Sequence, residues 1–220
     1  MSELLPAVEI NPSGPVTASV VCLHGLGADG HDLTSLAAEL DLPGARFVFP
    51  HALVRPVTIN GGYRMRAWYD VLGADFGTTQ DEAGIRESEQ RVRALIQREV
   101  ERGVSTHRVV LAGFSQGAAI ALHTALRYPE RLAGALALSG YLPLVDTLQA
   151  EVHPANKDLP VMLAHGTEDT VIPLALGEAS CRKLTALGCT AAWRSYPMPH
   201  TLCAEEIEDV KGWLKRILLL

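Results

Sequence analysis

Short, nearly continuous apolar runs recur along this 220-residue chain: Val20-Val21-Cys22-Leu23, Arg46-Phe47-Val48-Phe49, Val109-Val110-Leu111-Ala112, Ala135-Leu136-Ala137-Leu138 and Val161-Met162-Leu163-Ala164. Runs of this length suit strands buried on both faces of a parallel sheet. Between them the pattern turns helical, over Asp32 to Leu40, Asp81 to Arg102, Gly117 to Tyr128, Leu174 to Leu187 and Ala204 to Leu218. In the second of these, Ile85, Val92, Leu95, Ile96 and Val100 recur at helical spacing with charges between them, which makes one buried stripe. Weaker strand candidates lie near the two ends, Pro6 to Asn11 and Ala192 to Tyr196. Strand and helix in alternation predict an α/β fold: a mostly parallel central sheet with right-handed crossovers and helices on both faces. The longest stretch without a period, His51 to Thr79, holds Pro56, Gly61, Gly62, Gly73 and Gly77. Such loops are commonly functional, so it is expected to border a site.

Composition narrows the classes. A hydrophobic content of 48% with 20% charged residues is ordinary globular composition, and the length suits one domain over residues 1–220. A net charge of −6 argues against a nucleic-acid partner, whose footprint would be a basic patch. No run of eighteen apolar residues is present, so stable membrane insertion is not expected. Met1 to Pro6 lacks the basic region and apolar run of a signal peptide, and a cytoplasmic protein is expected. Cys22, Cys181, Cys189 and Cys203 have no C-x-x-C spacing, which disfavours a disulfide framework or a zinc site; Cys22 and Cys181 read as buried free thiols.

The strand Val109 to Ala112 runs into Gly113-Phe114-Ser115-Gln116-Gly117, and an alanine-rich helical segment follows at once. Strand, sharp G-x-S-x-G turn and helix form the pattern of a nucleophile elbow, in which the serine hydroxyl projects past the strand end toward a helix N-terminus. The residues two before and two after it must be small, so that strand and helix can approach closely. A serine needs a base, and the base an orienting acid, in the chain order serine, acid, histidine. Of the histidines after Ser115, His123 falls inside the following helix and should point away, and His153 sits in a polar loop. His165 directly follows a strand and could lie near the site, whereas His200 follows the last strand in Tyr196-Pro197-Met198-Pro199-His200 and is the expected base. The acid is expected just past Val161 to Ala164, where Asp169 is preferred to Glu168 because a shorter side chain can be fixed by local backbone contacts.

An oxyanion hole would take one amide from Gln116 and the other from the early loop His24-Gly25-Leu26-Gly27-Ala28-Asp29-Gly30, with Leu26 as the expected donor. That loop lacks the Gly-Lys-Ser/Thr ending of a phosphate loop and is not followed by a dinucleotide fingerprint. No histidine and acid cluster has metal spacing. Neither a metal nor another cofactor is expected.

Taken together, His24 to Gly30, Arg66-Ala67-Trp68-Tyr69-Asp70, Gly113 to Gly117, His165-Gly166-Thr167-Glu168-Asp169 with Val171-Ile172-Pro173, and Met198-Pro199-His200 resemble the carboxylesterase and acyl-protein thioesterase family of α/β-hydrolases over nearly the whole chain. Thr58 to Gly62 and Met65 to Asp70 look most similar to small bacterial carboxylesterases. The resemblance implies Ser115 as nucleophile, His200 as base, Asp169 as acid, the Leu26 and Gln116 amides as oxyanion hole, and a lid-like region over 56–77. Trp68 would then line the acyl groove or pack beneath the lid as a core residue, and Leu26 and Val171 would contact substrate. The family's eukaryotic thioesterases tend to carry cysteine and tryptophan where this chain has Gly140 and Tyr141. The implied activity is hydrolysis of short to medium acyl esters by a monomer or homodimer. Thioester hydrolysis and a non-catalytic binding role on the same fold are the alternatives.

Overall fold

The computed structural model describes residues 4–73 and 79–219. Seven strands form one sheet: β1 Ala7–Ile10, β2 Ala18–Leu23, β3 Ala45–Pro50, β6 Val109–Phe114, β7 Gly134–Leu138, β8 Pro160–Gly166 and β9 Thr190–Tyr196. Their order is β1-β3-β2-β6-β7-β8-β9. β1 pairs antiparallel with β3, and every other pairing is parallel, as the buried apolar runs predict.

Alternation along each strand sorts side chains between two cores. Val21, Leu23, Val109, Leu111, Ala135, Ala137, Val161 and Leu163 face α2 (Glu82–Glu101), α3 (Gln116–Arg127) and α5 (Leu174–Ala186). Val20, Cys22, Val110, Ala112, Leu136, Leu138, Met162 and Ala164 face α1 (Ser35–Leu40) and α6 (Ala204–Leu218). All twelve residues of α3 are buried, so this helix lies inside the structure rather than on it. Its Ala118, Ala119, Ala121 and Ala125 share one core with Ala135 and Ala137 of β7, and such small side chains allow helix and sheet to pack closely. The Ile85, Val92, Leu95 and Ile96 stripe of α2 is fully buried, with Asp81 capping the helix by accepting from Gly84 N at 2.9 Å.

Two elements depart from the sequence pattern. The stretch 51–79 is not an irregular loop throughout, since β4 (Val54–Val57) and β5 (Tyr63–Arg66) pair as an antiparallel hairpin. Residues 74–77 of the lid-like region lie outside the described residues. A short helix, α4 (Val145–Glu151), follows β7 with only Leu148 buried. No described helix is long and apolar enough to cross a membrane. All four cysteines are free; Cys22 is buried, and burial pushes its thiol up to about 12, whereas Cys181 is only half-buried.

Candidate active site

β6 ends at Phe114, and the chain reverses into α3 through Ser115, whose φ of 55° and ψ of −119° lie where L-residues are strained. The flanking glycines are obligatory on steric grounds. A Cβ on Gly113 would stand 2.3 Å from the Gly117 carbonyl carbon, and one on Gly117 would stand 2.2 Å from Leu23 O. Ser115 N is held by Leu138 O at 2.8 Å, which fixes the turn against the neighbouring strand. The serine is 8% exposed, so little of it meets solvent.

His200 and Asp169 arrive from the ends of β9 and β8. His200 Nε2 accepts from Ser115 Oγ at 2.9 Å, and its Nδ1 donates to Asp169 Oδ2 at 2.7 Å. Asp169 is turned inward by its own loop: Oδ1 accepts from Val171 N at 2.8 Å and Ile172 N at 2.9 Å, and the side chain has no exposed surface. Glu168 points to solvent. The two loops are locked to each other, since Thr167 N donates to Tyr196 O and Glu168 N to Met198 O. Gly166 lies directly beneath the histidine loop, where a Cβ would come 2.2 Å from Met198 O and 2.5 Å from Pro199 O. The Phe114 ring supports the imidazole of His200, with ring centroids 4.8 Å apart.

Gln116 opens α3, so its amide belongs to the first helical turn, which has no acceptor within the helix. Leu26 N likewise has no backbone acceptor among the described residues, while Gly27 N, at a φ of 79°, is taken by Arg66 O at 2.9 Å. The loop is anchored below by His24, whose Nδ1 donates to Gly25 O at 2.7 Å and whose Nε2 accepts from Ala52 N at 3.1 Å. Burial holds the His24 imidazole below its usual range, in keeping with this neutral, bridging role.

Trp68 corrects one of its two sequence readings. It is 1% exposed and sits in the main core, its Nε1 donating to His24 O at 2.9 Å, so it supports the loop from below and does not line a groove. Val171 is 51% exposed beside Asp169, and Leu26 packs half-buried against Val57, Ala67 and Val71. His123 is buried on the far side of α3, bonded to Glu89 at 3.1 Å, and His153 accepts from Ala155 N. The sequence carried no sign of a second role for Gln116. Its side chain accepts from Trp68 N and donates to Tyr69 O, both at 2.8 Å, and so ties the elbow to the segment after β5. Tyr69 and Tyr141 share a buried hydroxyl–hydroxyl bond of 2.8 Å. Tyr141 also lines a pocket of about 120 Å³ together with Leu142, Val145 and Leu176. Among the described residues no group of three or more His, Cys, Asp or Glu is arranged to hold a metal.

Comparison with known proteins agrees with this architecture. An acyl-protein thioesterase 1 from Cryptococcus neoformans var. neoformans serotype D is 38% identical over 237 aligned positions, covering 99% of this chain and 100% of the relative. The crystal structure of Zea mays acyl-protein thioesterase 2 superposes with a TM-score of 0.89 at 31% identity, covering 97% of this chain and 99% of that one. Esterase PE8 superposes with a TM-score of 0.85 at 30% identity, covering 98% and 100%. The family model described as phospholipase/carboxylesterase matches residues 6–218. With its mostly parallel sheet and the elbow at Ser115, the chain belongs to the phospholipase/carboxylesterase family of α/β-hydrolases.

Proposed function

We propose that this hydrolase is a single-domain serine carboxylesterase that cleaves short to medium acyl esters through an acyl-enzyme. The observation that carries the reading is the continuous relay from Ser115 Oγ to His200 (2.9 Å) to Asp169 (2.7 Å) beside two unclaimed amides. Ser115 Oγ attacks the acyl carbonyl as its proton passes to His200 Nε2, and Asp169 holds the imidazole in the tautomer that can accept it. The Leu26 and Gln116 amides receive the developing oxyanion, a contribution of about 3 to 4 kcal/mol per donor. His200 returns the proton to the departing alcohol. Water then attacks the acyl-enzyme with His200 again as base, and the acid is released with Ser115 restored.

Leu26, in the loop after β2, and the exposed Val171, two residues after Asp169, are assigned the apolar contacts to the acyl group. Gly140 packs beside Ser115 O, and the next residue, Tyr141, fills space beside the small pocket with its ring held by Tyr69, an arrangement we read as favouring shorter chains. Thioester hydrolysis is the second reading, favoured by the acyl-protein thioesterases among the relatives. Comparison of kcat/KM for a matched ester and thioester decides between them, and a large thioester preference reverses the order.

Ser115→Ala is expected to lower ester turnover at least about 10⁴-fold while the protein stays folded. A fluorophosphonate should label the wild-type protein at Ser115 alone. Near wild-type turnover in the variant, or no labelling of folded protein, would eliminate the nucleophile assignment; the latter would favour a non-catalytic binding protein.

A further inference from the structure

The relay leaves one buried histidine of the site without a role. His165, the penultimate residue of β8, is 1% exposed, and its ring is boxed in. Its ring stacks on Trp193 at a centroid distance of 6.1 Å, and its Nδ1 edge abuts Gly177 of α5, where a Cβ would stand 2.7 Å from Nδ1 and 2.8 Å from Trp193 Cη2. Close packing on the ring face and on the Nδ1 edge holds the direction in which Nε2 points. That nitrogen lies 2.9 Å from Ile172 O and 3.3 Å from Asp169 Oδ2. A carbonyl oxygen has no proton to give, so Nε2 must be the donor.

Ile172 thereby becomes a clamp. Its carbonyl is held by His165, and its own amide donates to Asp169 Oδ1 at 2.9 Å. The same Nε2–H presents its positive end to Asp169 Oδ2, the oxygen that receives His200 Nδ1. The acid therefore has one oxygen fixed by amides that His165 secures, and the other flanked by His165 and His200. Neither Trp193 nor Gly177 could supply this bond, because neither presents a donor at that point.

We propose that His165 is a positioning residue: through its Nε2–H it fixes the turn from Asp169 to Ile172 and so sets the aim of Asp169 at His200. It touches neither substrate nor Ser115, and it acts only through the acid. This inference rests on the esterase reading for its kinetic test, and its structural test is independent of turnover.

His165→Leu keeps an apolar volume and removes the donor, whereas His165→Gln restores an N–H near the position of Nε2. The leucine variant is expected to lose about 10- to 100-fold in kcat for a p-nitrophenyl ester with KM within about twofold, and the glutamine variant to regain most of that loss. In an Asp169→Asn background the leucine change should cost less than about threefold more, because the route through the acid is already broken. In ¹⁵N-labelled protein, the downfield proton on His200 Nδ1 should broaden or move upfield in His165→Leu and persist in His165→Gln. Unchanged kcat and an unchanged proton signal in the leucine variant would overturn the proposal, as would equal losses in the leucine and glutamine variants at equal melting temperatures. If leucine prevents folding, His165→Asn, whose shorter amide stops short of Ile172, takes its place in the same comparison. If wild-type protein turns over no ester, the esterase reading fails, and the proton signal alone decides the role of His165.

Discussion

Asp169 and Glu206 both bury their carboxyl groups, but their surroundings differ at every atom. Asp169 accepts from two amides and an imidazole in a loop that packs on its neighbour. Glu206, in the first turn of α6, stands against Cys22, Phe49, Leu138, Leu202 and Leu214 at a cavity of about 20 Å³. Neither of its oxygens has a hydrogen-bond partner among the described residues. Burial pushes its carboxyl up to about 7, and the nearby Cys203 amide offsets only part of that. One carboxyl is buried with its donors in place and is aimed at His200; the other is buried with neither oxygen hydrogen-bonded and keeps its proton to a higher pH than an exposed carboxyl would. On the proposed mechanism, burial alone does not suit a carboxyl to serve as the acid. The donors that the fold brings to Asp169 do.

The largest expected effect breaks the satisfied side of this contrast. Asp169→Asn should lower kcat about 10⁴-fold by leaving His200 without the acceptor that sets its tautomer, as read by steady-state ester hydrolysis. A loss under about tenfold would remove Asp169 from the relay. Gly166→Ala comes next, since its methyl must displace the Met198 and Pro199 carbonyls under His200. It should cost about 2 kcal/mol or more in urea unfolding and reduce kcat with it. Retention of both would mean that the two loops move apart easily.

Glu206→Gln addresses the unsatisfied side. The folded carboxyl titrates near 7 and the unfolded one near its ordinary 4.5, so the folded state binds the extra proton in that window. Its contribution is intact below about pH 4.5 and is lost as pH rises through about 7, a decline of about 3 kcal/mol in all. Glu206→Gln should match wild type at pH 4 and exceed it at pH 8; parallel urea midpoints across that range would contradict the buried-proton account. Glu168→Gln is the smallest change, with kcat within about twofold and stability within about 0.5 kcal/mol, because that side chain is exposed. A loss rivalling that of Asp169→Asn would exchange the two acids.

What could be read from the chain followed from how strongly each position was constrained. The five inner strands β2, β3, β6, β7 and β8 are buried almost throughout, and their apolar runs announced them, whereas the edge strands β1 and β9 are mostly half-buried or exposed and left a weaker pattern. The β4–β5 hairpin did not, because Val54 and Tyr63 are exposed and Arg55, Pro56, Arg64 and Arg66 interrupt any alternation. α4 buries one residue and leaves no period to detect. Ser115, Asp169 and His200 could be singled out from the sequence because each lies in the segment just after a strand and the serine sits between glycines, and the structure brings the three within hydrogen-bond distance. Trp68 was not, since an indole looks the same in sequence whether it faces a ligand or hydrogen-bonds to His24 O beneath a loop. The side-chain bridge of Gln116 and the clamp of His165 depend on partners 48 and 7 residues away, a relation no local pattern encodes.

The dihedral at Ser115 has one more consequence. A φ of 55° costs an L-residue about 1 to 3 kcal/mol and costs glycine almost nothing. Mutational screening for thermostability alone would accordingly favour Ser115→Gly, a change that relieves the backbone and removes the proposed nucleophile. If Ser115 carries the chemistry as proposed, heat resistance and turnover compete at a single residue, and stabilisation that keeps the activity has to come from elsewhere in the chain.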